Sequence, residues 1–468
     1  MEKTDPLVGA IGAVRERHIV HNLRHIFEII ASVERGDSTL EKTAQSYFRS
    51  HPKLGSSDRA LIGDVVITTY RWKMRLQNAL LQTLAQERPR DFPAEKTGML
   101  LPGAALTASG YDANVVTSAY RRVFPSLDFS PLFWEQLASH VLSLNPWESA
   151  DLEQLAVRAS LPEWVLRRLT ADYGFERARS LAIALQTKAP ITLRNNDLRK
   201  DRETLIAELL AAGVAVVPTV FSPWGVQLSE RREVRHLPGF GSGAFDVQDE
   251  GSQLVALATG AASGMVIVDA CAGAGGKSLA LGAMMRNEGT IAAFDPSEAK
   301  LEELRMRAAR AGLTNVQTHR VPATPEEVPR EAVFQRLVGQ ADVVLVDAPC
   351  SGSGTARRNP DIFARITPEG VTRYSQTQRR LLETYSRLVR PRGRLVYATC
   401  SLFREENREV AEGWLRDAAD FISIPVERSI PSEIAPSVCE GAYLSVFPDT
   451  HGTDGFFVAA FERKSEPQ

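Results

Sequence analysis

Apolar positions recur at different periods along this chain, and the changes of period divide it. Ile19, Leu23, Ile26, Ile29 and Ile30 repeat at three- and four-residue steps, the stripe of an amphipathic helix. A second helix is predicted to open at Ser57-Asp58 and to run through Leu61, Val65, Val66 and Tyr70. Few strand-like runs occur before Leu144, so residues 1–144 read as an all-α domain. From Asn145 the texture changes. Helices are predicted over 162–173, 178–186 and 201–212, the last closed by Gly213, with short strands at 191–194, 214–217 and 225–228. This mixture predicts a small α+β domain over 145–244. Beyond it, strands at 265–269, 290–295, 342–347 and 394–399 alternate with helices at 277–285, 297–311, 369–389 and 405–415, before a last strand at 456–461. That succession predicts a largely parallel sheet with helices on both faces, a Rossmann-like α/β domain over 245–468.

The 468 residues, 44% of them hydrophobic, suffice for two or three cores. The longest apolar stretch, Leu254 to Ala270, is broken by Gly260, Ser263 and Gly264, too short and interrupted to span a bilayer. The start, Met1-Glu2-Lys3-Thr4-Asp5, is charged and unlike a signal peptide, so a cytoplasmic location and no membrane partner are expected. A formal net charge of −2 gives no global signal for nucleic acid, and any RNA surface must be a local basic patch. Candidates are Arg71, Lys73 and Arg75; Arg167 with Arg168; Arg194, Arg199 and Lys200; and Arg357 with Arg358. Each taken alone reads as a solvated helix face. The four cysteines all fall in the C-terminal half and form no CxxC pair, which argues against a zinc site and a disulfide framework alike; no metal is expected.

One predicted strand runs into Asp269-Ala270-Cys271-Ala272-Gly273-Ala274-Gly275-Gly276-Lys277. Glycines here let the backbone turn sharply and approach a ligand. The spacing is not that of a P-loop. Nineteen residues beyond Gly276, Asp295 ends the next strand, where a carboxylate can accept from two ribose hydroxyls. Such a loop serves a nicotinamide dinucleotide and S-adenosylmethionine equally well.

Two later strands end on cysteines, in Asp347-Ala348-Pro349-Cys350-Ser351-Gly352-Ser353-Gly354 and in Ala398-Thr399-Cys400-Ser401. A lone cysteine at a strand end is usually core filler, and Cys271 and Cys439 read that way. A pair flanking a cofactor loop asks for chemistry. Methylation of cytosine carbon 5 supplies it: a thiolate adding to carbon 6 makes carbon 5 nucleophilic. Charge then builds toward ring nitrogen 3, where Asp347 can serve as acid or donor, and a second thiol can assist elimination. The base must be single-stranded or extruded to be reached.

At these residues the chain resembles the Sun-family RNA (cytosine-5) methyltransferases, which use S-adenosylmethionine. Asp269–Lys277 is similar to the family's first motif, Asp347–Gly354 to its fourth and Thr399–Ser401 to its sixth. Phe245–Gln253 resembles the strand and helix start that open the catalytic domain, and His451–Phe457 its closing hairpin. The resemblance implies Cys400 as nucleophile and Cys350 as the thiol assisting product release. It also implies Asp347 against the cytosine, Asp295 at the ribose, and a cofactor bed from Cys271 to Lys277 with Asp347 beside it. Leu161-Pro162-Glu163-Trp164 and Leu193-Arg194-Asn195-Asn196 look like the family's RNA-binding module, and Ser57–Ile62 like a NusB-type RNA-binding domain. That fusion implies small-subunit ribosomal RNA as substrate, and no obligate protein partner is indicated.

Two positions depart from the family pattern. Ala274 stands where proline is usual, and Arg320-Val321-Pro322-Ala323-Thr324 lacks the third motif's aspartate, with Glu326 and Glu327 beyond the expected strand tip. The missing acid favours a rival reading, an RNA-binding assembly factor with a weak catalytic domain. A DNA cytosine-5 methyltransferase would lack the Thr-Cys-Ser thiol, and an oxidoreductase would leave both thiols unexplained.

Overall fold

The computed structural model describes residues 6–7, 11, 16–36, 38–87 and 94–465; the charged start Met1–Asp5 lies outside them. Two compact units are present, one of residues 1–188 with 356–365, the other of 189–355 with 366–468.

The first unit is helical throughout its described residues. Its opening helix, Glu16–Glu34, buries the predicted stripe of Ile19, Leu23, Ile26, Ile29 and Ile30. Helix Ser56–Arg71 begins where Asp58 accepts the Gly55 N–H at 3.1 Å, and Asn22 donates to the same carboxylate at 2.8 Å. One side chain thus starts a helix and ties it to its neighbour. Trp72, Tyr120, Phe133 and Trp134 fill the core. Two expected surface arginines lie inside it. Arg75 is buried, donates to the Val141 carbonyl at 2.9 Å and packs on the Trp72 ring, while buried Arg71 donates to the Arg357 carbonyl at 2.7 Å. These guanidiniums satisfy buried backbone oxygens, so they are not part of a basic face. Arg167 is exposed but paired with Glu163, and Arg168 lies over Trp164. Among the described residues no helix is long and apolar enough to cross a membrane.

The second unit holds two sheets. The smaller is antiparallel in the order β2-β3-β1-β4, built from β1 (Thr192–Asn195), β2 (Val216–Pro218), β3 (Gly225–Leu228) and β4 (Phe245–Val247). The strand at Phe245, expected to open the catalytic domain, belongs here instead. Leu193 pairs with Val247, and Phe245 packs with Leu193, Leu205 and Val226. Arg194 is buried and donates to Gln248 at 2.6 Å, and Arg199 donates to the Ala311 carbonyl at 3.2 Å, so this basic cluster too is spent on structure.

The larger sheet contains β5 (Val266–Asp269), β6 (Thr290–Asp295), β7 (Val316–Arg320), β8 (Ala341–Asp347), β9 (Val389–Thr399), β10 (Phe421–Ile424), β11 (Cys439–Glu440), β12 (Tyr443–Val446) and β13 (Phe456–Arg463). Its main path runs β11-β12-β13-β9-β8-β5-β6-β7, with β10 pairing β13. Only β7-β6-β5-β8-β9 are parallel; the β9–β13 pairing and everything beyond it are antiparallel, so the sheet is less parallel than predicted. The helix predicted over 369–389 ends at Tyr385, and β9 begins at Val389 rather than at residue 394. Pro391 and Gly393 hid the early part of that strand, which accommodates Arg392 at φ 60° and a register shift opposite Ala341 and Val343.

Candidate active site

The first motif folds as expected at the C-terminal edge of β5. Gly275 takes φ +86°, and a Cβ there would fall 2.0 Å from Leu304 Cδ1, so only glycine lets the loop lie against helix Glu298–Ala311. The same helix steadies the loop: Arg307 donates to the Ala274 carbonyl at 2.6 Å and is itself held by Asp246 at 2.8 Å. Asp295, 5% exposed at the tip of β6, accepts the Gly273 N–H at 3.0 Å and the Ser297 N–H at 2.8 Å. It therefore joins loop to helix while each oxygen keeps a second lone pair for a ligand.

Asp269 is buried beneath this loop. Its Oδ2 accepts from Ser278 at 2.6 Å, while Oδ1 has no hydrogen-bond partner among the described residues. Burial raises its carboxyl to about 6, opposed by the Ser278 bond and reinforced by the charge of Asp347. Burial and then the acids Asp269, Asp347 and Asp295 push the Cys271 thiol well up, so it holds its proton. This fits the non-nucleophilic reading of Cys271.

β8 and β9 are parallel neighbours, and Asp347 pairs with Ala398 in register. Their C-terminal tips therefore bring the two cysteine segments together. The Sγ atoms of Cys350 and Cys400 lie 3.4 Å apart. The hydrogen bond to Cys400 and then burial hold the Cys350 thiol well above its ordinary value. Beside them Lys277 Nζ meets Asp347 Oδ2 at 2.6 Å, with side-chain exposures of 11% and 27%, and lies over the Phe456 ring. Burial alone would lower Lys277; the charge and hydrogen bond of Asp347, with Cys400 contributing, leave it raised and protonated.

A fully buried carboxylate supports both cysteine segments. Glu406 accepts the Ser351 N–H at 2.8 Å on one oxygen and the Ser401 hydroxyl at 2.5 Å on the other. Gln378 adds a bond to Glu406 at 3.1 Å and one to the Pro349 carbonyl at 3.0 Å. Burial pushes the Glu406 carboxyl up, against these donors. The sequence reading missed this clamp, because Arg404-Glu405-Glu406-Asn407 looks like a polar helix start. Lys277 was assigned only to the cofactor loop, and its pairing with Asp347 depends on β5 and β8 lying side by side. The third-motif departure is real in space as well. β7 ends at Arg320, while Glu326 sits on a short 3-10 helix and pairs with Arg380.

A protein family described as 16S rRNA methyltransferase RsmB/F matches residues 256–462, and an RsmF/B-like ferredoxin-like domain matches residues 161–235. A probable ribosomal RNA small subunit methyltransferase B of Bacillus subtilis is 33% identical over 314 residues, covering 67% of this chain and 68% of that protein. The ribosomal RNA small subunit methyltransferase B of Xylella fastidiosa strain 9a5c is 32% identical, covering 86% of this chain and 91% of that one. The chain belongs to the RsmB/F family of 16S rRNA methyltransferases. Solved structures agree on the fold. PH0851 superposes with a TM-score of 0.75 at 23% identity, over 96% of this chain and 99% of that one. NSun6 from Pyrococcus horikoshii, solved with SFG, gives 0.55 at 19% identity, over 65% of this chain and 99% of that one. Within this RsmB/F chain, both strand-end cysteines lie inside the first matched region, and the ferredoxin-like match covers β1, β2 and β3 of the small antiparallel sheet while β4 lies beyond it.

Proposed function

We propose that the protein methylates carbon 5 of a cytosine in small-subunit ribosomal RNA, using S-adenosylmethionine and a transient covalent bond from Cys400 to cytosine carbon 6. The observation that carries this is the 3.4 Å approach of Cys350 and Cys400 beside the Lys277–Asp347 pair. The loop suits the cofactor: the unpartnered Asp269 Oδ1 is a buried acceptor suited to a cationic amino group, and Asp295 retains acceptor capacity for a ribose. Residues 271–277 with Asp295 and Asp347 would hold it, and when bound it supplies an electrophilic methyl group.

The protein's own groups do the rest. The Cys350 thiol is held well above its ordinary value, and at 3.4 Å its S–H can donate to the Cys400 sulfur and orient it for attack. As the Cys400 sulfur bonds carbon 6, electron density moves toward nitrogen 3, where the proton-bearing Lys277, held by Asp347, can stabilise it. Asp347 serves as donor there in its protonated form, with the proton handed on from Lys277. After the carbon 5–methyl bond forms, the carbon 5 proton passes to Cys350 once that thiol has released its own proton to solvent. The C–H electron pair then expels the Cys400 thiolate from carbon 6 and restores the ring. Around this centre we read three domains, 1–144, 145–244 and 245–468, with β4 at the start of the third completing the edge of the second's sheet. The first is a NusB-type RNA-binding domain, in a cytoplasmic protein.

The test separates the thiols. Cys400→Ala should abolish methylation and covalent RNA adduct together; Cys350→Ala should leave protein cross-linked to methylated RNA on a denaturing gel. Adduct accumulating in Cys400→Ala would reverse the roles. The absence of an acid at the tip of β7 supports the second reading, an assembly factor with a weak catalytic domain. Calorimetry with S-adenosylmethionine distinguishes them, since the second reading expects no binding.

A further inference from the structure

The helical unit carries a side-chain cluster that methyl transfer leaves unused. His25 and Glu28 lie one turn apart on helix Glu16–Glu34, and His51 caps the C-terminus of helix Leu40–Ser50. One possible ligand atom from each of the three lies within 4.8 Å of the other two.

Hydrogen bonds decide which nitrogens can serve. The Tyr47 hydroxyl donates to Glu28, so at His25 Nδ1, 2.7 Å away, it must accept. His25 therefore carries its proton on Nδ1. His51 Nδ1 lies 2.9 Å from the Tyr47 carbonyl oxygen, which can only accept, so His51 is protonated on Nδ1 too. Ser50 Oγ, 3.1 Å from that nitrogen, donates its own proton to the same carbonyl at 2.8 Å and can share the His51 N–H. Both imidazoles thus present an Nε2 lone pair. An Nδ1–H held by a carbonyl or by a hydroxyl backed by a carboxylate is how proteins orient imidazoles as metal ligands. The Tyr47 ring stacks on His51 at 4.1 Å between centroids and further fixes its plane.

We propose that His25, Glu28 and His51 form a three-ligand site for a divalent transition cation of the zinc class. Two imidazoles with one carboxylate suit such an ion better than calcium or magnesium, which take oxygen donors. Tetrahedral ligands about 2.0–2.1 Å from an ion stand about 3.4 Å apart, so all three side chains must draw in from their present separation of up to 4.8 Å. Glu28 keeps one oxygen on Tyr47 while the other turns to the ion, which leaves a fourth position for water. The sequence expectation of no metal weighed cysteine spacing; the spatial meeting of His51 with one helical turn of the first helix does not show in spacing. Binding confined to the folded state would stabilise the helical unit.

The experiment uses the full chain with Cys350→Ser and Cys400→Ser, which removes the thiol pair as a competing ligand. After chelation, zinc chloride is titrated calorimetrically, and one equivalent is expected to bind. Adding Glu28→Gln or His51→Ala should abolish that equivalent or weaken it at least tenfold, with circular dichroism confirming retained helix. If His51→Ala unfolds, the near-isosteric Glu28→Gln decides. Cobalt in place of zinc should show visible ligand-field bands without a thiolate charge-transfer band. Failure of the parent to bind, or an undiminished equivalent in Glu28→Gln, overturns the site.

Discussion

Glu406 shows how one residue can matter without touching a reacting atom. Its two oxygens accept from Ser351 and Ser401, each next to a cysteine of the pair. Glu406→Gln keeps the shape; its oxygen can accept from Ser351 and its amide can donate to Ser401, whose hydroxyl can turn round. Glu406→Leu leaves buried donors unpaired, at a cost of roughly 2–5 kcal/mol. Urea denaturation should show that loss for Leu and little for Gln, with methylation following the same order. Asp269 makes a prediction of opposite sign. Its folded value, about 6, is raised above the unfolded one, so its favourable contribution is present below about pH 4 and lost as pH rises through 6. Without cofactor, Asp269→Asn should gain on the parent by up to about 3 kcal/mol between about pH 4 and pH 7. A stability difference independent of pH would show that Asp269 is not the buried acid described.

At the scale of elements, the site depends on loops packed backbone to backbone. The Gly354 N–H donates to the Cys400 carbonyl at 2.9 Å, and the Gly455 N–H donates to the Gly354 carbonyl at 2.9 Å. A Cβ on Gly354 would fall 2.4 Å from Gly455 O and 2.9 Å from Cys400 O. Backbone atoms cannot rotate aside, so Gly354→Ala should force the β8 and β9 loops apart, costing roughly 1–3 kcal/mol in stability. Methylation should fall further than stability does, since thiol spacing changes directly; thermal melts beside single-turnover assays would show it. Strand order produces this sensitivity. β8 and β9 are distant in sequence but adjacent in the sheet, so residues fifty apart end at one edge.

At the scale of the whole molecule, a net charge of −2 means RNA must be drawn by local surfaces, and several basic clusters are already committed to buried bonds. We expect residues 1–188 to carry a share of the RNA-binding surface. Affinity of the full chain for 16S RNA should fall steeply with salt. A fragment of residues 189–468 should bind more weakly, its log–log slope shallower by about 0.7–0.9 for each phosphate it no longer neutralises. Filter binding across a salt series checks this; equal slopes would remove the helical unit from the interface.

Local pattern alone determined the helical period of the first region, the strand–loop–helix at Gly273–Gly276 and the thiols at Cys350 and Cys400. Each of these rests on neighbours within a few residues, where backbone sterics and side-chain alternation act directly. Edge strands such as β7, with Val316 its one aliphatic side chain, and the start of β9 across Pro391 and Gly393 were illegible because pairing overrode weak propensity. Burial of Arg71, Arg75, Arg194 and Glu406 was equally hidden: a charged side chain looks alike in sequence whether it meets water or a buried backbone group. Only the tertiary structure decided which residues share a strand edge or a core, because those neighbours are set by sheet order and packing rather than by distance along the chain.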